Sequence, residues 1–304
     1  MSSQNTLTLN SLSFQAMGTA CHVHVYADTT VLAEDICEAA ACEVERISER
    51  YSRFQDDSEL SRINRVAESG GTVRLDPETA SLMDYAQACY EKSDGAFDIT
   101  SGILRRAWDF SSNQLPTHQV IAQQLVHVGF AKLHWDSPNL TFTVPGQELD
   151  FGGIGKEYAA VRAAEVCAAH GVRHGLVDLG GDIHIIGPHP DDDPWCIDIR
   201  HPRSTDLMLG RVELKTGGLA SSGDYERCMV VENQRYGHIL DPKTGHPLQG
   251  LAAVTVVASD CLVAGSLATI AMLKGAQGPA WLAQIGVDHV WMDEQGQQGG
   301  SLLN

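Results

Sequence analysis

Residues 149–158, LDFGGIGKEY, bring an extended, mostly apolar run to Gly152, Gly153 and Gly155, then to Lys156 and a helical pattern through Ala160 and Ala164. Glycines let the backbone press against a ligand, and a helix start supplies unpaired N–H groups at a positive dipole end. The stretch is therefore either a phosphate cradle or a strand–turn–helix junction that uses glycine only to turn. In residues 235–250, His238 stands three residues before Asp241. A histidine near neutral pH takes a proton from a hydroxyl and a nearby aspartate orients it; the alternative is a surface hairpin with an Asp-Pro turn. Asp98 and Thr100 lie between a turn and an apolar run, placed to grip a ligand's polar edge or to cap the next helical turn. Gly265 and Thr269, four apart in an apolar helical pattern, share one face. Met17-Gly18-Thr19 suits covering a flat ring or filling a gap.

Two further features are weaker. His22 and His24 are spaced for one strand face, but no third metal ligand is near in sequence, so a solvated strand face accounts for them. The acidic run at 191–193 reads as an exposed turn. Residues 176–188, LVDLGGDIHIIGP, repeat the strand-then-glycine theme, but neither copy spells G-x-G-x-x-G opening a helix, which argues against a Rossmann nicotinamide site.

The elements that must position these groups are legible. Residues 20–27 alternate as a strand with Cys21, Val23 and Val25 on one side. Over 30–50, Leu32, Ile36, Ala40, Val44 and Ile47 form the stripe of an amphipathic helix. Asp57 or Ser58 caps a short helix, and Asp76-Pro77 opens another that Asp94-Gly95 closes. Residues 140–144 alternate like part of a hairpin, and the rest of 114–144 carries no readable chemistry. Helices are expected over 156–170 and 262–274, and strands over 195–199 and 210–214.

At 304 residues the chain suits one large domain or two closely wrapped lobes. Twenty-one Lys and Arg against 39 Asp and Glu leave a formal charge of −18, which argues against nucleic acid and anionic membranes as partners. Any phosphate ligand must then be held by local dipoles, single cations or a metal. The eight cysteines are scattered without a Cys-x-x-Cys pair and read as reduced thiols. The N-terminal stretch has no basic start and no apolar run long enough for a secretory signal or a membrane span, so the expected location is cytoplasmic.

In this order, MGT at Met17, SRFQDDSELSRIN at Ser52, DGAFDIT at Asp94, LDFGGIGK at Leu149, LVDLGGDI at Leu176, ASSGDYER at Ala220, HILDPKTG at His238 and the AGSLAT helix resemble the ApbE family of FAD:protein FMN transferases. The resemblance runs from about residue 14 to the helix before Gly275. It implies a mixed α+β fold, T-fold-like antiparallel sheets with packed helices, as one domain over residues 1–304 whose two closely associated lobes hold FAD in a cleft. It also implies magnesium-assisted cleavage of FAD, with FMN passed to a threonine or serine of an acceptor flavoprotein and AMP released; some relatives only hydrolyse FAD. Carried over by position, Met17, Phe54, Ala96, Phe97, Asp98, Asp150 and Ile239 contact the cofactor, with Phe54 where the family often has tyrosine. Lys156 neutralises a pyrophosphate oxygen, His238 is the base with Asp241 beside it, and Gly153 (carbonyl) and Thr269 (hydroxyl) serve magnesium.

Three departures stand out. Gly265 occupies the position of an aspartate that the family uses as a magnesium ligand, Glu157 stands where glycine is usual, and Val161 where aspartate is usual. Asp260 is the nearest replacement acid in sequence, but it is out of phase with Thr269 on a continuous helix. Glu157 either quenches the charge of Lys156 or supplies the missing carboxylate. Restoring Gly265→Asp is expected to raise activity or shift the metal requirement, and no response would mean that another acid already fills the role. Loss of cleavage, leaving an FAD-binding protein, and conversion to an FAD pyrophosphatase are the alternatives.

Overall fold

The computed structural model describes residues 7–112, 114–225 and 227–303. The first six residues, part of the N-terminal stretch read above, and Glu226 of the 220–227 block lie outside them. Strands β1 (Thr8–Ala16) and β2 (Thr19–Ala27) form a hairpin closed by Met17 and Gly18, both at positive φ. The alternation is as expected: Cys21, Val23 and Val25 are buried, and they pack against α1 (Thr30–Arg50). Thr29 caps that helix, and its buried stripe includes Ile36, Ala40, Val44 and Ile47, while Leu32 in the first turn is exposed.

Ser58, not Asp57, caps α2 (Glu59–Ser69), accepting from Ser61 N. Next come β3 (Gly71–Arg74) and α3 (Pro77–Lys92), the latter opened by Asp76, whose carboxylate accepts from the amides of Glu78 and Thr79. A short helix, α4 (His118–Leu125), precedes β4 (Leu133–Asp136) and β5 (Asn139–Phe142); these two strands join β3 in a small antiparallel sheet. Leu140 and Phe142 of that sheet share a core with α2, α3, Phe97, Phe151 and Ile154.

Helix α5 (Gly155–Ala169) leads into β6 (Gly175–Leu179), β7 (Ile183–Gly187), β8 (Trp195–Arg200), β9 (Met208–Leu214) and β10 (Gly217–Gly223). Then follow β11 (Cys228–Val231), β12 (Gln234–Gly237), β13 (Leu251–Ala258), α6 (Cys261–Leu273), α7 (Gly278–Ile285), β14 (Asp288–Asp293) and β15 (Gln298–Gly299). The main sheet has the order β1-β2-β6-β7-β10-β13-β14-β15, every neighbouring pair antiparallel. One face carries α1 and α5, whose Ala33, Ala40, Ala159, Ala160, Ala163 and Ala164 are buried and permit close helix approach. The other face is covered by the β8–β9 hairpin through Ile197, Ile199 and Val212.

This topology gathers turns at one end of the sheet. Because Cys21 pairs with Leu179, the Met17-Gly18 turn and the Gly180-Gly181 turn lie side by side, and β10 runs past the same end beyond the Leu219–Ile183 pair. The acidic run at 191–193 follows the far end of β7, five residues away along an extended strand, or about 17 Å.

Candidate active site

The loop before α5 is anchored from below by Phe151 and Ile154, both fully buried, while Gly152 is exposed and Gly153 half-buried. Asp150 N donates to Ile99 O at 2.8 Å, Asp150 Oδ1 accepts from Gly152 N at 2.8 Å, and the other carboxylate oxygen pairs with Arg53. Packing here leaves no room for side chains: a Cβ on Gly102 would lie 2.3 Å from the Asp150 Cβ, and one on Gly153 would lie 3.1 Å from the Phe97 ring. Residues 53, 97–102 and 150–153 thus form one structure. Helix α5 begins without a side-chain cap. Its first amide, Gly155 N, donates to Phe151 O at 2.7 Å, and what the helix start offers an anion is the positive end of its dipole.

Lys156 Nζ lies 2.6 Å from Asp182 Oδ2, and Asp182 Oδ1 accepts from Ser221 N at 3.2 Å, so the lysine is held between the Gly180-Gly181 turn and β10. A Cβ on Gly180 would lie 2.2 Å from Thr19 Oγ1, which locks that turn to the Met17-Gly18 turn. Arg227 reaches the same place, one guanidinium nitrogen 3.3 Å from where a Cβ on Gly18 would sit. His238 is tied to Arg227 twice: its amide donates to Arg227 O at 3.0 Å, and its Nδ1 lies 3.2 Å from the same oxygen. A carbonyl only accepts, so Nδ1 carries a proton, and whenever the ring is neutral its lone pair lies on Nε2, the tautomer of a base. This unbroken run of contacts places Lys156 and His238 at the same end of the sheet.

Asp241 closes its own turn. Its carboxylate accepts from Lys243 N at 2.8 Å and from Thr244 Oγ1 at 3.1 Å, and its carbonyl from Gly245 N at 2.7 Å. That turn is pinned by Trp108, whose indole N–H donates to Gly245 O at 2.7 Å. An open cleft of about 450 Å³ beside it is bounded by Arg235, Tyr236, Asp241, Thr244 and His246.

Of the other predicted cofactor contacts, Phe54 is 81 % exposed, with the Arg53 guanidinium 4.9 Å from its ring centre. An apolar ring left so open is suited to stacking on a flat ligand. Met17 is partly buried at the hairpin turn, Ala96 half-buried, Phe97 buried under Gly153, and Ile239 packed against the core around Leu251 and Val254. Asp98 gives its carboxylate to the protein: Oδ1 accepts from Thr100 N at 2.8 Å and Thr100 Oγ1 at 2.6 Å, and Oδ2 from Phe130 N at 2.8 Å. Asp98 thus closes a turn onto Thr100 and ties it to Phe130, while the helical turn over Ser101–Arg106 that follows has no side-chain cap.

The magnesium question turns on Gly265, which faces α5. A Cβ there would lie 2.4 Å from Glu157 Cγ and 2.6 Å from Glu157 Oε1. An aspartate restored at 265 therefore overlaps Glu157, so that this single change has to displace the Glu157 carboxylate. Glu157 is 7 % exposed and its Oε2 has no hydrogen-bond partner. Burial first, then the neighbouring Asp182, push Glu157 up to about 8 against the pull of Lys156. Asp260 is occupied elsewhere, capping α6 through Val263 N at 2.8 Å, and Val161 is packed against the α1–α5 core. Among the described residues no three His, Cys, Asp or Glu side chains gather as a metal cage. Magnesium is commonly held by one or two carboxylates together with substrate phosphates. A buried carboxylate oxygen without a partner, packed against Gly265 one helical turn before Thr269, is the kind of donor such a set uses.

A model of the ApbE family matches residues 17–291. The chain belongs to that family. It is 30% identical over 275 residues to the FAD:protein FMN transferase of Haemophilus influenzae, covering 85% of this chain and 79% of the relative. The crystal structure of the ApbE protein of Thermotoga maritima superposes with a TM-score of 0.88 at 33% identity, covering 97% of both chains. The flavin transferase ApbE of Vibrio cholerae superposes with a TM-score of 0.83 at 26% identity, covering 97% of this chain and 98% of that one. The ApbE fold of antiparallel sheets with packed helices is thus established. No helix among the described residues is long and apolar enough to cross a membrane.

Sequence reasoning passed over Arg53, Asp182 and Arg227. Asp182 had a signal in its place directly after Gly180-Gly181, but its partner Lys156 comes from another block.

Proposed function

We propose that this protein is an FAD:protein FMN transferase that moves FMN from FAD to a serine or threonine hydroxyl of an acceptor protein. Supporting this are its family membership and the convergence of Lys156, the uncapped start of α5 and the His238 turn at one end of the sheet. The last of these carries the reading: a cation, a positive helix end and a base in the right tautomer are what phosphoryl transfer to a hydroxyl requires.

In this reaction the acceptor oxygen bonds to the FMN-side phosphorus of FAD, the bond from that phosphorus to the bridging oxygen breaks, and AMP leaves. His238 Nε2 takes the hydroxyl proton. Lys156, positioned by Asp182, neutralises a pyrophosphate oxygen, and the positive dipole end of α5 favours the phosphates nearby. Phe54 and Met17 cover the flat part of the cofactor, which lies between the sheet end and the helices around Phe97. Gly153 O, Thr269 Oγ1 and a carboxylate would hold a divalent metal, which when bound would supply positive charge against the charge that builds on the phosphates.

The test is incubation with FAD, Mg²⁺ and candidate acceptors, read as a fluorescent protein band on a denaturing gel with equimolar AMP. His238→Ala is expected to lower the transfer rate by about 10²–10⁴-fold while FAD binding, followed by flavin fluorescence, is retained. Unchanged transfer removes His238 from the mechanism. Free FMN without a labelled band identifies a pyrophosphatase, and tightly bound, intact FAD identifies a flavin-binding protein.

A further inference from the structure

Gly265 and Glu157 sit on different helices, yet their positions are complementary in volume. Glycine is the one residue at 265 that leaves room for the Glu157 side chain, since any Cβ would fall within 2.4–2.8 Å of its Cγ, Oε1 and Cδ. The Glu157 carboxylate therefore fills the space into which a side chain on 265 would project, one turn of α6 before Thr269. It is buried, its Oε2 has no hydrogen-bond partner, and it shares its surroundings with the Asp182 carboxylate and the Lys156 ammonium. Leaving a buried carboxylate oxygen without a hydrogen bond is costly, and two acids beside a lysine suit the arrival of a cation.

We propose that the acid ligand of the metal site has moved between helices in this chain: Glu157 of α5, seated in the notch of Gly265, does what a carboxylate on α6 would otherwise do. Glu157 is then a divalent-cation ligand alongside Gly153 O and Thr269 Oγ1, with Asp182 holding Lys156 beside it. The exchange leaves the position of the charge nearly unchanged and alters only the helix that delivers it. This inference rests on the transferase reading for the metal's purpose, but not for its binding.

The test uses the full chain and Mn²⁺ as probe, with binding followed by electron paramagnetic resonance with and without FAD. Glu157→Gln, close in shape, is expected to weaken Mn²⁺ at least about tenfold while FAD affinity in EDTA is kept. Gly265→Ala, whose Cβ displaces the carboxylate, is expected to produce the same loss and serves if E157Q does not fold. The double variant Glu157→Gly with Gly265→Asp returns the acid to α6 and is expected to recover Mn²⁺ binding. Wild-type Mn²⁺ affinity in E157Q, or no Mn²⁺ binding by the wild type, overturns the proposal. Mn²⁺ held through Glu157 by a protein that leaves FAD intact keeps this site and removes the transferase reading instead.

Discussion

Glu157 shows how one side chain's environment can invert its ordinary chemistry. A carboxylic acid normally loses its proton well below neutrality, but burial and the Asp182 carboxylate raise this one from 4.5 to about 8. The folded metal-free protein therefore binds this proton more tightly than the unfolded chain does. The stability it contributes is complete below about pH 4.5 and is lost as pH rises through about 8. In EDTA, the thermal midpoint of the wild type should thus fall relative to that of E157Q between pH 5 and pH 8.5. Parallel pH profiles of the two proteins would refute a raised Glu157. Asp98 makes the opposite point. Read alone it is an available acceptor, but its two oxygens take three protein hydrogen bonds and hold residues 98–100 to Phe130.

Among elements, the decisive contacts are between turns. Gly180 has φ +72°, and an added Cβ would fall 2.2 Å from Thr19 Oγ1. Gly180→Ala would cost about 1–2 kcal/mol in backbone strain before any displacement of Thr19. Asp182, two residues on, would shift with the turn and take Lys156 with it. Urea denaturation should show the lost stability, and FAD titration a weaker affinity; lower stability with unchanged affinity would mean that this junction does not position the site. The β1–β2 and β6–β7 turns are thus parts of the candidate site although neither carries a reacting group. Helix α5 has a similar double role, burying four alanines against α1 while presenting its uncapped start to the glycine loop.

For the whole molecule, the net charge of −18 opposes an anionic substrate. The local cations Arg53, Lys156 and Arg227 act at short range, whereas the excess of acids acts over the Debye length, about 30 Å at 0.01 M salt and about 8 Å at 0.15 M. The FAD association rate, measured by stopped flow at fixed metal concentration, is therefore expected to rise with ionic strength over that range. A falling rate would show that a positive funnel at the cleft dominates the global charge.

Local structure is what can be read along the chain. Helices over 30–50 and from Pro77 follow from a 3.6-residue stripe and from caps such as Asp76, and β2 follows from its alternation, because each depends on neighbours within a few residues. The blocks around Gly152 and His238 were legible as candidate chemistry for the same reason, since glycine content and a His-to-Asp spacing can be read along the chain. Only the tertiary structure decided that Lys156 meets Asp182, that Asp98 is consumed by Phe130, and that Glu157 occupies the volume Gly265 leaves empty. Each of these joins segments far apart in the chain. Sequence spacing carries no record of which side chain's volume complements which distant gap, and that is settled when α5 and α6 pack beside one sheet.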